Sequence, residues 1–301
     1  MDNKRRNLLK GLALAPGVLA SPGLFASPTI KTSASTRLQY SVNAFTFNSL
    51  LKSGEMDFVD MMNFAAEIGL NAVDLTGYYF GDYPNIPDDK ALFQLKKKAL
   101  QLGLNISWTG VRNNFVKPDK ASREADIEMI KNWFTVSSKL GASIMRIFAG
   151  KGKHKPHSRE EVKNWMLADF KECAKYAEET GVIAGMQHHN DFLYEAEEVI
   201  EMLQKVDSEW FGLILDIGSL RRSDDPYREI KKLAPYADYW FIKELVYVNG
   251  VAEPVNMKKI AGILKEANFT GYISFESLTE GDPKQIVTSM FEDFRAEYEK
   301  L

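Results

Sequence analysis

Eight short runs rich in β-branched and aromatic residues alternate with eight longer runs whose apolar residues recur at helical spacing. The strand-like runs lie near residues 39–45, 71–76, 104–109, 143–148, 182–188, 211–216, 238–244 and 271–276. The helix-period runs lie between them, near 57–68, 88–102, 121–140, 158–180, 194–206, 226–235, 256–266 and 283–299. Strict strand–helix alternation means a parallel sheet covered by helices, and eight units are the number that closes a (β/α)8 TIM barrel. A doubly wound open sheet would want a glycine-rich turn after its first strand. Ser41-Val42-Asn43-Ala44-Phe45 supplies no glycine there.

Local signals agree with these boundaries. Ser158 and Glu161 make a capping box, and Asp225-Pro226 and Asp282-Pro283 each set an N-cap acid before a proline at the first helical position. Gly69, Gly103, Gly141 and Gly181 each stand just before a strand, where a left-handed helix C-cap is wanted. The chain is 301 residues long and 45% hydrophobic, enough for one large core. No Pro/Gly/Ser-rich linker divides it after residue 40, so residues 38–301 read as a single barrel domain.

The N-terminus reads differently. Lys4-Arg5-Arg6-Asn7-Leu8-Leu9-Lys10 precedes a moderately apolar stretch that ends in small residues near Ala26. This is the layout of an export signal, and its paired arginines resemble a twin-arginine signal. The expectation is a signal over residues 1–26, a linker over 27–37 and a periplasmic mature protein. The full chain carries a net charge of −3, and removal of residues 1–26 takes it to −6. That balance argues against a nucleic-acid partner, and no later run is long and apolar enough to anchor a mature form in a membrane. The lone cysteine, Cys173, falls on a helix and reads as a packing residue.

In a barrel of this kind the active site lies at the C-terminal ends of the strands. Side chains alternate along a strand, so parity sorts inward from outward. Gln187 and His189 share one face, Ile214 and Asp216 another, then Phe241 with Lys243, and Ser274 with Glu276. Four consecutive strands can thus aim Gln187, His189, Asp216, Lys243 and Glu276 into one pocket. His188 points the other way. Arg146 ends the fourth strand and, if buried, must either pair with an acid such as Asp74 or grip a substrate oxygen. Trp108, Tyr78, Asn113 and Phe148 sit at strand ends or in the loops after them, where aromatic faces suit the C–H faces of a sugar. The basic loop Lys151–His157 is a solvated connection or a lid that attracts an anion.

These strand ends resemble the sugar phosphate isomerase/epimerase family of xylose isomerase-like barrels. Gln187-His188-His189-Asn190 is similar to its Glu-Asn-His-Gly stretch, and Leu215-Asp216-Ile217-Gly218-Ser219 to its Leu-Asp-Thr-Gly-His. Phe241-Ile242-Lys243-Glu244 resembles its His-Leu-Lys-Asp, and Gly271–Glu276 its Gly-Tyr-Ile-Ser-Ile-Glu. The resemblance implies proton abstraction beside the carbonyl of a sugar or keto-sugar, with Glu276, Lys243 and His189 as catalytic groups. It also implies a divalent ion (Mn²⁺, Mg²⁺ or Zn²⁺) on Glu, Asp, His and Glu of strands five to eight. Here those places hold Gln187, Asp216, Phe241 and Glu276, so the metal expectation rests on Asp216 and Glu276, with Gln187 as a weak ligand and His189 as a substitute. Gln187 cannot accept a proton, which disfavours two-base epimerisation unless His189 serves as the second base; one-base isomerisation and β-elimination from a keto-glycoside remain open. A non-catalytic carbohydrate-binding barrel, as a monomer or an oligomer, is the reading from another class. The endonuclease branch of the same superfamily would want more than four histidines and a basic face.

Overall fold

The structure, a computed structural model, describes residues 38–301. The export signal and linker read over residues 1–37 lie outside the described residues.

Eight strands run parallel and close into a barrel: β1 (Leu38–Val42), β2 (Ala72–Thr76), β3 (Asn105–Gly110), β4 (Ile144–Phe148), β5 (Ile183–Gln187), β6 (Phe211–Asp216), β7 (Ala237–Lys243) and β10 (Gly271–Glu276). They pair in sequence order, and β10 closes the ring between β7 and β1. The helices form the outer layer: α2 (Phe58–Glu67), α3 (Asp89–Gln101), α4 (Lys120–Leu140), α5 (Arg159–Thr180), α6 (Ala196–Val206), α7 (Pro226–Leu233), α8 (Met257–Glu266) and α9 (Pro283–Glu299). The chain is therefore a (β/α)8 barrel. Its helix starts follow the expected chemistry: Ser158 and Glu161 make the capping box of α5, and Asp225 and Asp282 cap α7 and α9 ahead of their prolines. No helix among the described residues is long and apolar enough to cross a membrane.

Two elements go beyond the eight-fold reading. A short helix, α1 (Asn48–Ser53), follows β1. Between β7 and α8 the chain makes a hairpin, β8 (Leu245–Val248) with β9 (Val251–Pro254). Asn249 and Gly250 form its two-residue turn with φ of 48° and 83°. Paired left-handed residues make the type I′ turn whose twist matches that of the strands it joins.

The barrel interior explains where a site can exist. Trp108, Ile144, Ile214, Tyr239 and Phe241 form a buried cluster inside it, with Ile183 and Tyr272 against its edge. Trp108 lies 5.2 Å from the Phe241 ring and 6.4 Å from Tyr239. At Gly185 a side chain cannot fit, because a Cβ would come within 2.7 Å of Ile144 and 2.8 Å of Ile214. This apolar plug fills the barrel as side-chain layers do in folds of this type. One inward step further along the strands come Arg146, Gln187, Asp216, Lys243 and Glu276. The plug is thus the floor on which the polar layer stands.

Phe241 stands where the resemblance places a metal ligand, yet its ring is fully buried in the plug. Phe241→Ala is expected to cost about 3–5 kcal/mol, as for other buried phenylalanines. Urea denaturation of the purified barrel checks this. A loss below about 1 kcal/mol would mean that the plug does not support the polar layer.

Candidate active site

Lys243 is the hub of the polar layer. Its Nζ lies 2.9 Å from Asp216 Oδ2 and 2.9 Å from Glu276 Oε1, and all three residues are buried. Gln187 Nε2 donates to Asp216 Oδ2 at 2.7 Å, and the Gly218 amide donates to Asp216 Oδ1 at 3.0 Å. Asn43 Nδ2 donates to Glu276 Oε2. Every carboxylate oxygen of Asp216 and Glu276 therefore already faces an N–H donor. The arrangement is self-consistent electrostatically, since two carboxylates buried side by side would be costly without a cation between them.

The protonation states follow from this packing. Burial, the largest single influence, raises the carboxyl of Asp216, but the charge and hydrogen bond of Lys243 together with His189 and His188 outweigh it and hold the group at about 2. Burial also raises Glu276, the charge of Asp216 raises it further, and Lys243 opposes without reversing the shift. Burial works against the charge on Lys243, yet Asp216 and Glu276 keep its ammonium more strongly protonated than an ordinary lysine. The trio is thus one cation shared by an acidic carboxylate and a more basic one, and Glu276 is the more basic.

A cavity of about 580 Å³ opens above this layer. Its wall includes Phe45, Tyr78, Arg112, Asn113, Asn114, Arg146, Phe148, Lys151, Gln187, His189, Asp191, Arg221, Glu276 and Leu278. Its size suits a small ligand, and its mixture of aromatic rings with convergent polar groups suits a sugar. Gln187 Oε1 is buried without a partner, so its amide offers an acceptor at the cavity floor. His189 lines the wall with its ring 5.1 Å from Phe148. Burial pushes its pKa down to about 3, so the imidazole is neutral at physiological pH. His188 is fully enclosed and is likewise pushed down to about 4.

Arg146 forms no ion pair with Asp74. Asp74 Oδ1 instead accepts from the Ala44 amide and from Thr76 Oγ1, each at 2.9 Å. The Arg146 guanidinium lies over three rings, 4.3 Å from Phe148, 5.1 Å from Trp108 and 5.5 Å from Tyr78. Its one hydrogen bond among the described residues runs from Nη2 to the Val111 carbonyl at 3.3 Å, and its Nε is buried without a partner there. Gly110 makes this placement possible, since a Cβ there would come within 2.9 Å of the Arg146 side chain.

The remaining candidates divide. Tyr78, Asn113 and Phe148 all reach the cavity. Asn113 spends both ends of its amide on the Phe148 backbone at 2.8 Å, so it braces the wall. Trp108 lies in the plug beneath Arg146, not on the cavity wall, because parity on β3 turns its ring down among Tyr239 and Phe241. In the Lys151–His157 loop only Lys151 reaches the cavity. His154 bonds the His157 carbonyl at 2.8 Å, and His157 packs on Trp165. The strand-end reading passes over Asn43, whose position at the end of β1 was its only signal, and Asp191. The latter accepts from the Gly150 and Leu193 amides, and burial lifts its carboxyl to about 7.

The family model of the xylose isomerase-like TIM barrel matches residues 62–294. The chain belongs to that family. No curated protein sequence matches it. As a xylose isomerase-like barrel it shares its fold with D-allulose 3-epimerase from Methylomonas sp., solved in complex with D-allulose. Identity is 17% and the TM-score 0.71, over 87% of this chain and 98% of the other. It is also similar to 3-keto-D-glucoside 4-epimerase from E. coli, at 12% identity and a TM-score of 0.69 over 87% and 99% of the two chains. The probable 3-DHS dehydratase of Bacillus anthracis gives 17% identity and a TM-score of 0.65 over 86% and 98%.

The divalent ion implied by the resemblance does not fit the residues of this xylose isomerase-like barrel. An ion between Asp216 and Glu276 would have to displace the Lys243 ammonium, which already stands there at hydrogen-bond distance from both. Gln187 turns its amide N–H toward Asp216. Phe241 is a phenyl ring in the plug. Among the described residues no group of three or more His, Cys, Asp or Glu side chains is placed to hold a metal. The ligand set expected of Asp216, Glu276, Gln187 and His189 is therefore not assembled.

Two outcomes follow from these charges. Lys243→Met removes the shared cation and is expected to cost about 3–5 kcal/mol in urea denaturation, as for other broken buried pairs. Adding Asp216→Asn and Glu276→Gln to Lys243→Met should recover much of that loss. Equal stability of the single variant and the wild type would refute the central role of the ammonium. The two histidines have folded pKa values below their unfolded value of roughly 6.5. Their contribution to stability is therefore complete above that value and is lost as pH falls toward about 4 for His188 and about 3 for His189. NMR titration should show neither imidazole protonating between about pH 5 and 8, the range in which an ordinary histidine titrates.

Proposed function

We propose that this barrel is a metal-independent enzyme that removes a proton from the carbon next to the carbonyl of a sugar or keto-sugar. The observation that carries the reading is the buried Lys243 ammonium held between Asp216 and Glu276, of which Glu276 reaches the cavity while Lys243 and Asp216 lie behind its wall. It supplies a fixed positive charge where relatives of this fold are expected to use an ion.

Glu276 is the base. Its carboxylate lines the cavity, and burial raises its proton affinity above that of an ordinary glutamate. It takes the proton, and the C–H electron pair moves onto the carbonyl oxygen to give an enediolate. A lysine ammonium has three N–H donors, and the two carboxylates use two of them. The third is available to stabilise the developing oxyanion, a form of stabilisation that can contribute several kcal/mol in a water-poor site. Gln187 Oε1 can accept from a substrate hydroxyl, and Tyr78 and Phe148 supply faces for the C–H side of the ring.

With Gln187 in place of a second acid there is one carboxylate base at the floor. That favours two outcomes for the enediolate. Glu276 can return the proton to the adjacent carbon while a hydroxyl proton moves between oxygens, which is an isomerisation. Alternatively, a substituent on the β-carbon leaves with its bonding electrons, which is an elimination. Solved structures of this fold named as sugar epimerases and as a probable dehydratase support sugar chemistry and an elimination as reactions that this fold can host. Residues 1–26 carry the export-like pattern, and on that pattern we place the reaction outside the cytoplasm.

The test is deuterium wash-in. Keto-sugars incubated with the protein in D2O should exchange the hydrogen beside the carbonyl. Glu276→Gln should slow exchange by about 10²–10⁴-fold, the usual contribution of a general base. A strong chelator should leave the wild-type rate unchanged. Exchange that requires an added divalent ion would overturn the metal-independent reading. Tight sugar binding without exchange, equal in wild type and Glu276→Gln, would identify a carbohydrate-binding barrel instead.

A further inference from the structure

Four cationic side chains line the cavity: Arg112, Arg146, Lys151 and Arg221. None of them makes an ion pair with a carboxylate among the described residues, although many other lysines and arginines of this chain do. Arg221 donates to the Gly218 carbonyl at 3.3 Å and lies over Tyr247. Arg112 and Arg146 lie over the same Tyr78 ring, at 4.1 and 5.5 Å. On the acidic side stand Glu276, tied to Lys243, and Asp191, whose carboxyl burial holds near neutrality. The cavity is therefore positive, and its cations await a partner.

Arg146 is the decisive member. It is only 4% exposed, it borders the cavity, and its Nε is buried with no acceptor. A buried guanidinium normally has its donors satisfied, since each unmet one costs free energy. The rings of Phe148, Trp108 and Tyr78 surround the guanidinium without offering it an acceptor. A guanidinium is a planar fork that matches a carboxylate edge to edge. A tetrahedral phosphate dianion would want more donors at that depth than one guanidinium offers.

We propose that the substrate is a sugar acid whose carboxylate docks on Arg146, with Arg112 at the rim drawing it in. The inference rests on the reading of this cavity as the sugar site and names the class of sugar.

Binding is measured apart from turnover. Titration calorimetry compares glucuronate and galacturonate with the neutral hexoses glucose and galactose and with glucose 6-phosphate. The uronates should bind at least tenfold tighter than the neutral sugars, and the preference should shrink as salt rises. Arg146→Met should abolish the preference, and the exposed Arg112→Gln should reduce it a few-fold in a protein whose core is untouched. Equal binding of acid and neutral sugars, an unchanged preference in both variants, or a preference for the phosphate alone would each overturn the proposal. The two readings fail separately. Neutral keto-sugars that exchange deuterium while no acid binds tightly would leave the enzyme reading standing and remove this one. Uronates that bind through Arg146 while no sugar exchanges hydrogen would do the reverse.

Discussion

The ammonium of Lys243 organises the mouth of this barrel. Without it, Asp216 and Glu276 would bring two negative charges together in a place with almost no water. With it, each carboxylate has a partner, the two remaining oxygens are taken by Gly218 and Asn43, and Gln187 adds a second donor to the Asp216 oxygen that Lys243 holds. Five strand ends thereby meet on one charge-sharing network. The asymmetry of that network, one carboxylate held strongly acidic and one pushed toward basicity, gives Glu276 a chemical role that Asp216 cannot share.

Beneath this network the apolar plug decides what the polar layer can be. Phe241 takes up space among Trp108 and Tyr239 and so carries the seventh strand's inward contact downward. The next inward residue, Lys243, then rises into the gap between two carboxylates.

Much of the fold was legible in the sequence, because strand and helix periodicities are local and the glycine and aspartate punctuation agrees with them. The strand-end residues were legible for the same reason: a period of two places Gln187, Asp216, Lys243 and Glu276 on the inward faces without knowledge of their partners. Partners were harder. Whether Asp216 and Glu276 hold a metal or an ammonium depends on where Nζ of Lys243 comes to rest, and that is a matter of side-chain reach across three strands. Trp108 obeyed parity but belonged one layer lower than its position near a strand end suggested. Asn43 and Asp191 have no periodic signal, since each matters through a single long-range or turn contact. The Asn249-Gly250 hairpin did have a local signal, hidden within what reads as one long connection.

Glu244, the residue after Lys243, faces the other way and gathers the segment that follows Glu276. Its carboxylate accepts from the amides of Leu278 and Thr279 and from the hydroxyls of Ser277 and Thr279. Lys243 and Glu276 are thus joined inside the barrel, while their immediate neighbours are joined outside it. Leu278, which borders the cavity, hangs from that outer joint. This side of the mouth is a doorpost and not a door: swinging it aside would pull on the two strands that carry the charges. Tyr78 and Arg112, which also line the cavity, stand after β2 and β3 on segments that bear no part of that network, so the rim there can shift without pulling on the charges.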